Sequence, residues 1–239
     1  MEVNDSIKEQ IERLNRELAE KSPEEVISAI IDEYGEGVAL ATSMGAEDQV
    51  LTDMLCKTAK NTRIFTIDTG RLFPETYDLI SETNKRYDIS IEVFFPDYRK
   101  VEAMVKEKGI NLFYEAVENR KLCCGIRKVD TLKRALSGLD VWICGLRKDQ
   151  SVDRFYNRMI EWDEANGLIK LNPLINWSEK QVWDYIHKNR VPYNVLHDKG
   201  FPSIGCQPCT RAVQPGEDIR AGRWWWEESE KRECGLHRS

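Results

Sequence analysis

No stretch of this chain approaches the length of a membrane-spanning helix. The first residues, Met1-Glu2-Val3-Asn4-Asp5, are acidic and carry no signal-peptide pattern. Both absences point to a cytoplasmic protein with no membrane partner. An excess of positive charge is also missing. Lys and Arg number 35 against 41 Asp and Glu, for a net charge of −6, which argues against a general nucleic-acid binder. An anionic small substrate stays open if the basic residues gather locally. The seven cysteines are an odd number without a secretory signal, so a disulfide framework is not expected. In a reducing compartment such thiols serve metal binding or redox chemistry. What remains, 41% hydrophobic and 32% charged over 239 residues, is an ordinary protein able to bury a full α/β core.

The first part of the chain reads as packing. Ile7, Ile11, Leu14 and Leu18 recur at helical spacing over residues 5–21. Ser22-Pro23-Glu24-Glu25 then starts a second helix, with Ser as N-cap and Pro in the first turn, and Gly35 and Gly37 close it. Residues 38–41 form a short apolar strand. It ends in a small-residue loop containing Ser43 and Gly45, and a helix follows through Val50, Leu51, Met54 and Leu55. Free N–H groups at such a helix start suit an anion, although any βα turn can carry these residues. Residues 63–67 form a second strand, ending at Asp68, Thr69, Gly70 and Arg71: an acid, a hydroxyl and a base where α/β sheets bind ligands. Pro74 starts a helix running to about Tyr87, and residues 91–95 form a third strand. The β-α-β-α-β order predicts a doubly wound, mostly parallel sheet. A helix is expected over 98–119, a fourth strand over 140–144 running into a polar loop that contains Arg147, and a hairpin of 159–162 with 168–171 around Asn166-Gly167. A last helix runs from Ser178 to Asn189, with Trp183 and Ile186 inward and His187 structural. Pro192, Pro202, Pro208 and Pro215 then deny regular structure.

Four cysteines sit in two tight pairs, Cys123-Cys124 and Cys206-Gln207-Pro208-Cys209. Zinc prefers pairs two residues apart, because both sulfurs must reach one tetrahedral ion. Adjacent cysteines strain around a single ion but can each ligate a different iron of an iron–sulfur cube. The pairs therefore favour a [4Fe–4S] cluster held by Cys123, Cys124, Cys206 and Cys209, with zinc or four unrelated buried thiols as alternatives. Cys56 and Cys144 have no near partner and are expected in the core. Lys128 lies four residues after Cys124, on the same face if that segment is a helix. Arg220 and Arg223, three apart, can face one anion. Trp224, Trp225 and Trp226 cannot all be buried on one face. Cys234, beside Gly235 and near His237 in a charged tail, reads as a nucleophile. The expected divisions are residues 1–34, a nucleotide-binding unit at 35–215 carrying the cysteine pairs, and an arm at 216–239.

Thr69-Gly70-Arg71, Cys123-Cys124, Gly145-Leu146-Arg147, the Leu196-to-Cys209 stretch, Arg220-to-Trp226 and the terminal Glu233-Cys234-Gly235-Leu236-His237 resemble assimilatory adenylyl-sulfate (APS) reductases of the iron–sulfur branch. One departure is Thr42-Ser43-Met44, where many relatives order the serines differently. The resemblance implies an adenine-nucleotide pyrophosphatase-like fold. It also implies reduction of adenosine 5′-phosphosulfate to sulfite and AMP, in sulfate assimilation and cysteine biosynthesis. Cys234 would become an S-sulfocysteine, and thioredoxin or glutaredoxin would discharge it. Ser43, Gly45, Asp68, Thr69, Gly70, Arg71, Lys128, Arg147, Arg220 and Arg223 would hold substrate, and a homo-oligomer is expected. Reduction of the 3′-phosphorylated nucleotide (PAPS) is the alternative. A cluster-bearing tRNA-thiolating enzyme and a non-enzymatic cluster sensor are remoter rivals. The first should carry a Ser-Gly-Gly-x-Asp-Ser loop and a basic face, and the second needs no exposed tail cysteine.

Overall fold

The computed structural model of the chain describes residues 5–150 and 156–228. A six-stranded sheet runs in the order β3-β2-β1-β4-β6-β5. The strands are β1 (Val38–Thr42), β2 (Arg63–Ile67), β3 (Glu92–Phe94), β4 (Val141–Ile143), β5 (Ile160–Asp163) and β6 (Leu168–Leu171). All neighbours are parallel except β5, which pairs antiparallel with β6 at the edge. From β1 the chain builds outward to β2 and β3. It then returns to the other side of β1 as β4. The order therefore reverses between β1 and β4, and the crevice at their carboxyl ends is the place for a ligand.

The central strands are apolar on both faces because helices cover both. Leu40 and Ile143 face one core, together with Ile11, Leu14, Ile27, Ile30 and Leu51. Their neighbours Ala39 and Trp142 face the other, with Phe65 and Leu132. The first core contains α1 (Asp5–Glu17), α2 (Pro23–Tyr34), α3 (Ala46–Thr58) and α8 (Glu179–Asn189), so the N-terminal helices share one core with the sheet. Ser22 caps α2 in a reciprocal capping box with Glu25, and Ser178 does the same for α8 with Gln181. Helix α4 (Pro74–Tyr87) starts at its proline as expected. Among the described residues no helix is long and apolar enough to cross a membrane.

Two expectations are corrected. The helix expected over 98–119 is two helices. Helix α5 (Tyr98–Lys108) stops at Gly109, whose φ of +82° no helical residue adopts. A 3₁₀ turn, Leu112–Tyr114, precedes α6 (Val117–Cys124). Second, Lys128 does not sit on a regular α-helix. A π-helical turn, Gly125–Val129, links α6 to α7 (Asp130–Ala135). That wider turn breaks the four-residue register from which its face was inferred. On α8, Ile186 and Val182 are buried and Trp183 packs against the same core, so the inward face lies where expected. Trp183 is only partly buried and stacks on His187, with ring centroids 5.9 Å apart. A third apolar cluster contains Met104, Leu112, Phe113, Cys209 and Trp224, with Cys123 and Cys206 packed against it.

Candidate active site

A cleft of about 810 Å³ opens at the carboxyl ends of β1, β2 and β4. Its floor is the β1–α3 turn. Met44 takes a φ of +62° there, held by its N–H donating to Thr42 Oγ1 at 3.0 Å. Ser43 donates through both its N–H and its hydroxyl to Asp48 Oδ2, at 2.6 and 2.7 Å. Asp48 Oδ1 accepts from Gly145 N–H at 3.1 Å. One buried carboxylate therefore ties the β1 loop to the β4 loop across the switch point. Burial pushes the Asp48 carboxyl above its ordinary range, and the bonds from Ser43 and Gly145 oppose that. Gly145 must be glycine, since a Cβ there would collide with Asp48 and Glu47. Gly45 caps α3 without a side-chain bond, which leaves backbone donors at the helix start for an anion.

Several of the expected binding residues meet in this cleft: Ser43, Gly45, Thr69, Lys128, Arg147, Arg220 and Arg223 all line it, and so does Cys206. Arg147 is buried and donates from Nε to Glu47 Oε1 at 2.7 Å. Arg223 lies over the Trp224 ring at 4.7 Å, and its guanidinium reaches Ser203 and the Ile204 carbonyl at 3.5 Å. Gly205 makes that path possible, because a Cβ there would sit 2.5 Å from Arg223 Cζ. The arm is stitched to the cysteine loop: Trp224 N–H donates to the Cys209 carbonyl at 3.1 Å, and Thr210 pairs with Arg223.

Asp68, Gly70 and Arg71 do not line the cleft. Asp68 accepts from Gly70 N–H at 2.6 Å and from the Tyr77 hydroxyl at 3.0 Å. Arg71 donates to the Ile110 carbonyl and Asn111 Oδ1, both at 2.9 Å, and covers the Phe113 ring. Its own carbonyl accepts from Gln207 N–H at 2.8 Å. These three residues shape the loop that carries Thr69 and brace the cysteine loop behind it.

Cys123, Cys206 and Cys209 pack about one apolar cluster, and Cys124 is half-buried at the end of α6. The Thr69 hydroxyl lies 3.2 Å from Cys206 Sγ. Burial, with Cys206 beside it, pushes the Cys209 thiol up to about 12, and burial raises Cys123 as well. Among the described residues no three His, Cys, Asp or Glu side chains converge on one metal ion. Cys144 is buried in the cleft wall, 3.0 Å from Asn172 Oδ1, and Cys56 is half-buried with its thiol pushed up to about 11 by burial. Cys234 and His237 lie outside the described residues.

Two arginines that the sequence did not single out matter here. Arg127 donates to the Thr69 carbonyl at 2.7 Å, so the π turn sends neighbouring cations to different places, Arg127 to the Thr69 loop and Lys128 to the cleft. Arg120 makes a buried bidentate pair with Glu227, at 2.9 and 2.7 Å, and lies 4.7 Å over Trp224. Its position three residues before Cys123 was the one available hint. Ion pairs between distant segments leave no local pattern.

The fold is a doubly wound, mostly parallel α/β sheet with its cleft at the switch point. Candida glabrata FMN adenylyltransferase shares it with a TM-score of 0.56 at 18% identity, over 98% of this chain and 77% of that one. Residues 37–212 match the phosphoadenosine phosphosulfate reductase domain, and the chain belongs to that family. A structure of PAPS reductase from Candida auris, a phosphate complex, is 33% identical with a TM-score of 0.75, covering 89% of this chain and 99% of that one. Adenosine 5′-phosphosulfate reductase of Allochromatium vinosum is 50% identical over 90% of this chain and 83% of its own length. The enzyme of that name from Burkholderia cepacia is 48% identical over 94% and 90%.

Proposed function

We propose that this chain is an oxidoreductase that reduces adenosine 5′-phosphosulfate to sulfite and AMP, the step that brings sulfate toward cysteine. The observation that carries this reading is that Lys128, Arg220 and Arg223 line the same cleft as Cys206. Cations there face a site floored by helix-start donors, as a phosphosulfate requires. Relatives at about half identity bear the name of that activity.

In the first step the Cys234 thiolate attacks the sulfur of the mixed anhydride. An S–S bond forms, the S–O bond to phosphate breaks, and AMP leaves with the electron pair. Negative charge concentrates on the leaving phosphate and the sulfonate, where Lys128, Arg220 and Arg223 are suited to balance it. In the second step one thiolate of a protein dithiol, thioredoxin or glutaredoxin, attacks Cys234 Sγ and expels sulfite. Its second thiol then releases Cys234, so the dithiol supplies both electrons.

A [4Fe–4S] cluster suits Cys123, Cys124, Cys206 and Cys209. A cube spreads its ligands over several irons, so Cys123, Cys206 and Cys209 about one apolar cluster, with the adjacent Cys124, fit it better than a single ion. Its contribution would be a fixed charged body that organises the cysteine loop beside Arg223. The six described cysteines form no disulfide with one another, as a reducing cytoplasm would leave them.

The test is sulfite release with APS and with PAPS in parallel, alongside the mass of the protein after APS alone. Release from APS, and one sulfonate on the peptide containing Cys234, are expected. Cys234→Ser should keep its iron and bind APS yet release nothing. Preference for PAPS would move the assignment to the alternative substrate, and sulfonate on Cys56 or Cys144 would overturn the nucleophile.

A further inference from the structure

The arm passes from the cleft to the outer surface within two residues. Trp224 lines the cleft, is 2% exposed and holds a φ of +44°, a left-handed conformation that bulky residues rarely adopt. Trp225, the next residue, is 37% exposed. It meets Tyr114 edge-on at 6.3 Å and Trp226 at 4.8 Å. Tyr114, 43% exposed, is held by its hydroxyl on the Pro208 carbonyl at 2.6 Å. Ile110, 61% exposed, ends the same stretch, its carbonyl gripped by Arg71. Tyr114 and Trp225 thus present held aromatic side chains together beside the root of the arm, and Ile110 is exposed four residues before Tyr114.

We propose that this face is the docking surface for the protein dithiol that discharges S-sulfonated Cys234. The inference rests on the two-step reading above and adds where the second step takes place. Cys234 lies six residues beyond Glu228, so its sulfur stays within about 25 Å of that root whatever path the chain follows. A carrier that attacks this sulfur must seat itself inside the same radius, on the outer side, because the inner side is the substrate cleft. The face meets that demand in position and in chemistry. Brief encounters use small interfaces, and their energy comes from a few aromatic and aliphatic anchors in a polar setting. Tyr114 and Trp225 lose little entropy on contact because neighbouring rings and the Pro208 carbonyl already hold them.

Ile110→Glu and the double variant Ile110→Glu/Trp225→Ser test this, with Tyr98→Glu as control. Tyr98 is also exposed but begins α5, roughly 15 Å of helix away from Ile110. Three readouts are taken: sulfonate mass after APS alone, turnover with dithiothreitol, and KM for reduced thioredoxin. Ile110→Glu should load sulfonate and turn over with dithiothreitol as wild type does, while its KM for thioredoxin rises about tenfold. The double variant should exceed that rise, and Tyr98→Glu should show none. An unchanged thioredoxin KM in a folded, loaded Ile110→Glu overturns the surface while leaving the reading of Cys234 intact. If light scattering shows that Ile110→Glu instead splits an oligomer with thioredoxin KM unchanged, the face belongs to a second copy of the chain and the proposal fails. Wild-type protein that gains no sulfonate at all overturns the two-step reading, and the surface with it.

Discussion

Gly205 and Arg223 illustrate how much a single position can decide. The glycine leaves a channel through which the guanidinium passes from the arm to the cleft. Gly205→Ala should therefore displace Arg223 and lower kcat/KM by about a hundredfold, close to the roughly 2–4 kcal/mol cost of removing a preorganised charged donor. Arg223→Ala should cost a similar amount, and the two changes together little more than either, since both remove one interaction. Steady-state kinetics with iron content checked in each variant would decide it. His197, in the cleft wall, carries a pH prediction. Burial lowers its pKa below the usual value, although Glu47, Asp198 and Glu179 pull it upward. A histidine depressed on folding contributes stability above its unfolded pKa of about 6.5, and that stability is lost as pH falls. Thermal melts should drop between pH 7.5 and 5.5, and drop less in His197→Gln; equal drops would refute the assignment.

At the scale of elements, the join between α6 and the arm stands out. Arg120 and Glu227 are almost wholly buried, and their pairing spans the helix that ends in Cys123-Cys124 and the last described turn of the chain. Removing one partner strands a buried charge, so Glu227→Ala should destabilise by about 3–5 kcal/mol in denaturant titration. Arg120→Met with Glu227→Leu should recover most of that, because the desolvation penalty disappears with both charges. A double variant as unstable as the single would mean that the pair does more than neutralise itself. Legibility differed between elements for a local reason. Ser22-Pro23 and Ser178 announce α2 and α8 because caps are written within four residues. The division of 98–119 hung on Gly109, one residue whose left-handed φ closes a helix. The π turn after Cys124 has no marker of its own.

For the whole molecule, Cys123, Cys206 and Cys209 pack in one apolar cluster, and Cys206 also lines the cleft. Anaerobically purified protein should contain iron and sulfide in about a one-to-one ratio. Removing the iron with a chelator should lower the melting temperature and weaken APS binding together, because the cysteine loop also carries Ser203, Gly205 and the path of Arg223. Stoichiometric zinc with no sulfide, or apo-protein that binds APS as tightly as before, would sever that link.

Patterns confined to neighbouring residues were readable from the chain. The alternation of strands and helices, the capped helices, the two thiol pairs and the spacing of Arg220 and Arg223 all announced themselves, because strand and helix periods, cap chemistry and ligand spacing operate over a few positions. The cleft itself came from folding. Long-range packing set Asp48 between the β1 and β4 loops and turned Asp68 and Arg71 to bracing the Thr69 and cysteine loops. It also joined Arg120 to Glu227 and put the two faces of the arm on opposite sides. The Asp68 carboxylate bonds to Gly70 and Tyr77 nearby, but the others pair residues tens to more than a hundred positions apart, or turn on a backbone twist such as that at Trp224. No window along the sequence contains such contacts, and their energies exist only when the core has brought the segments together.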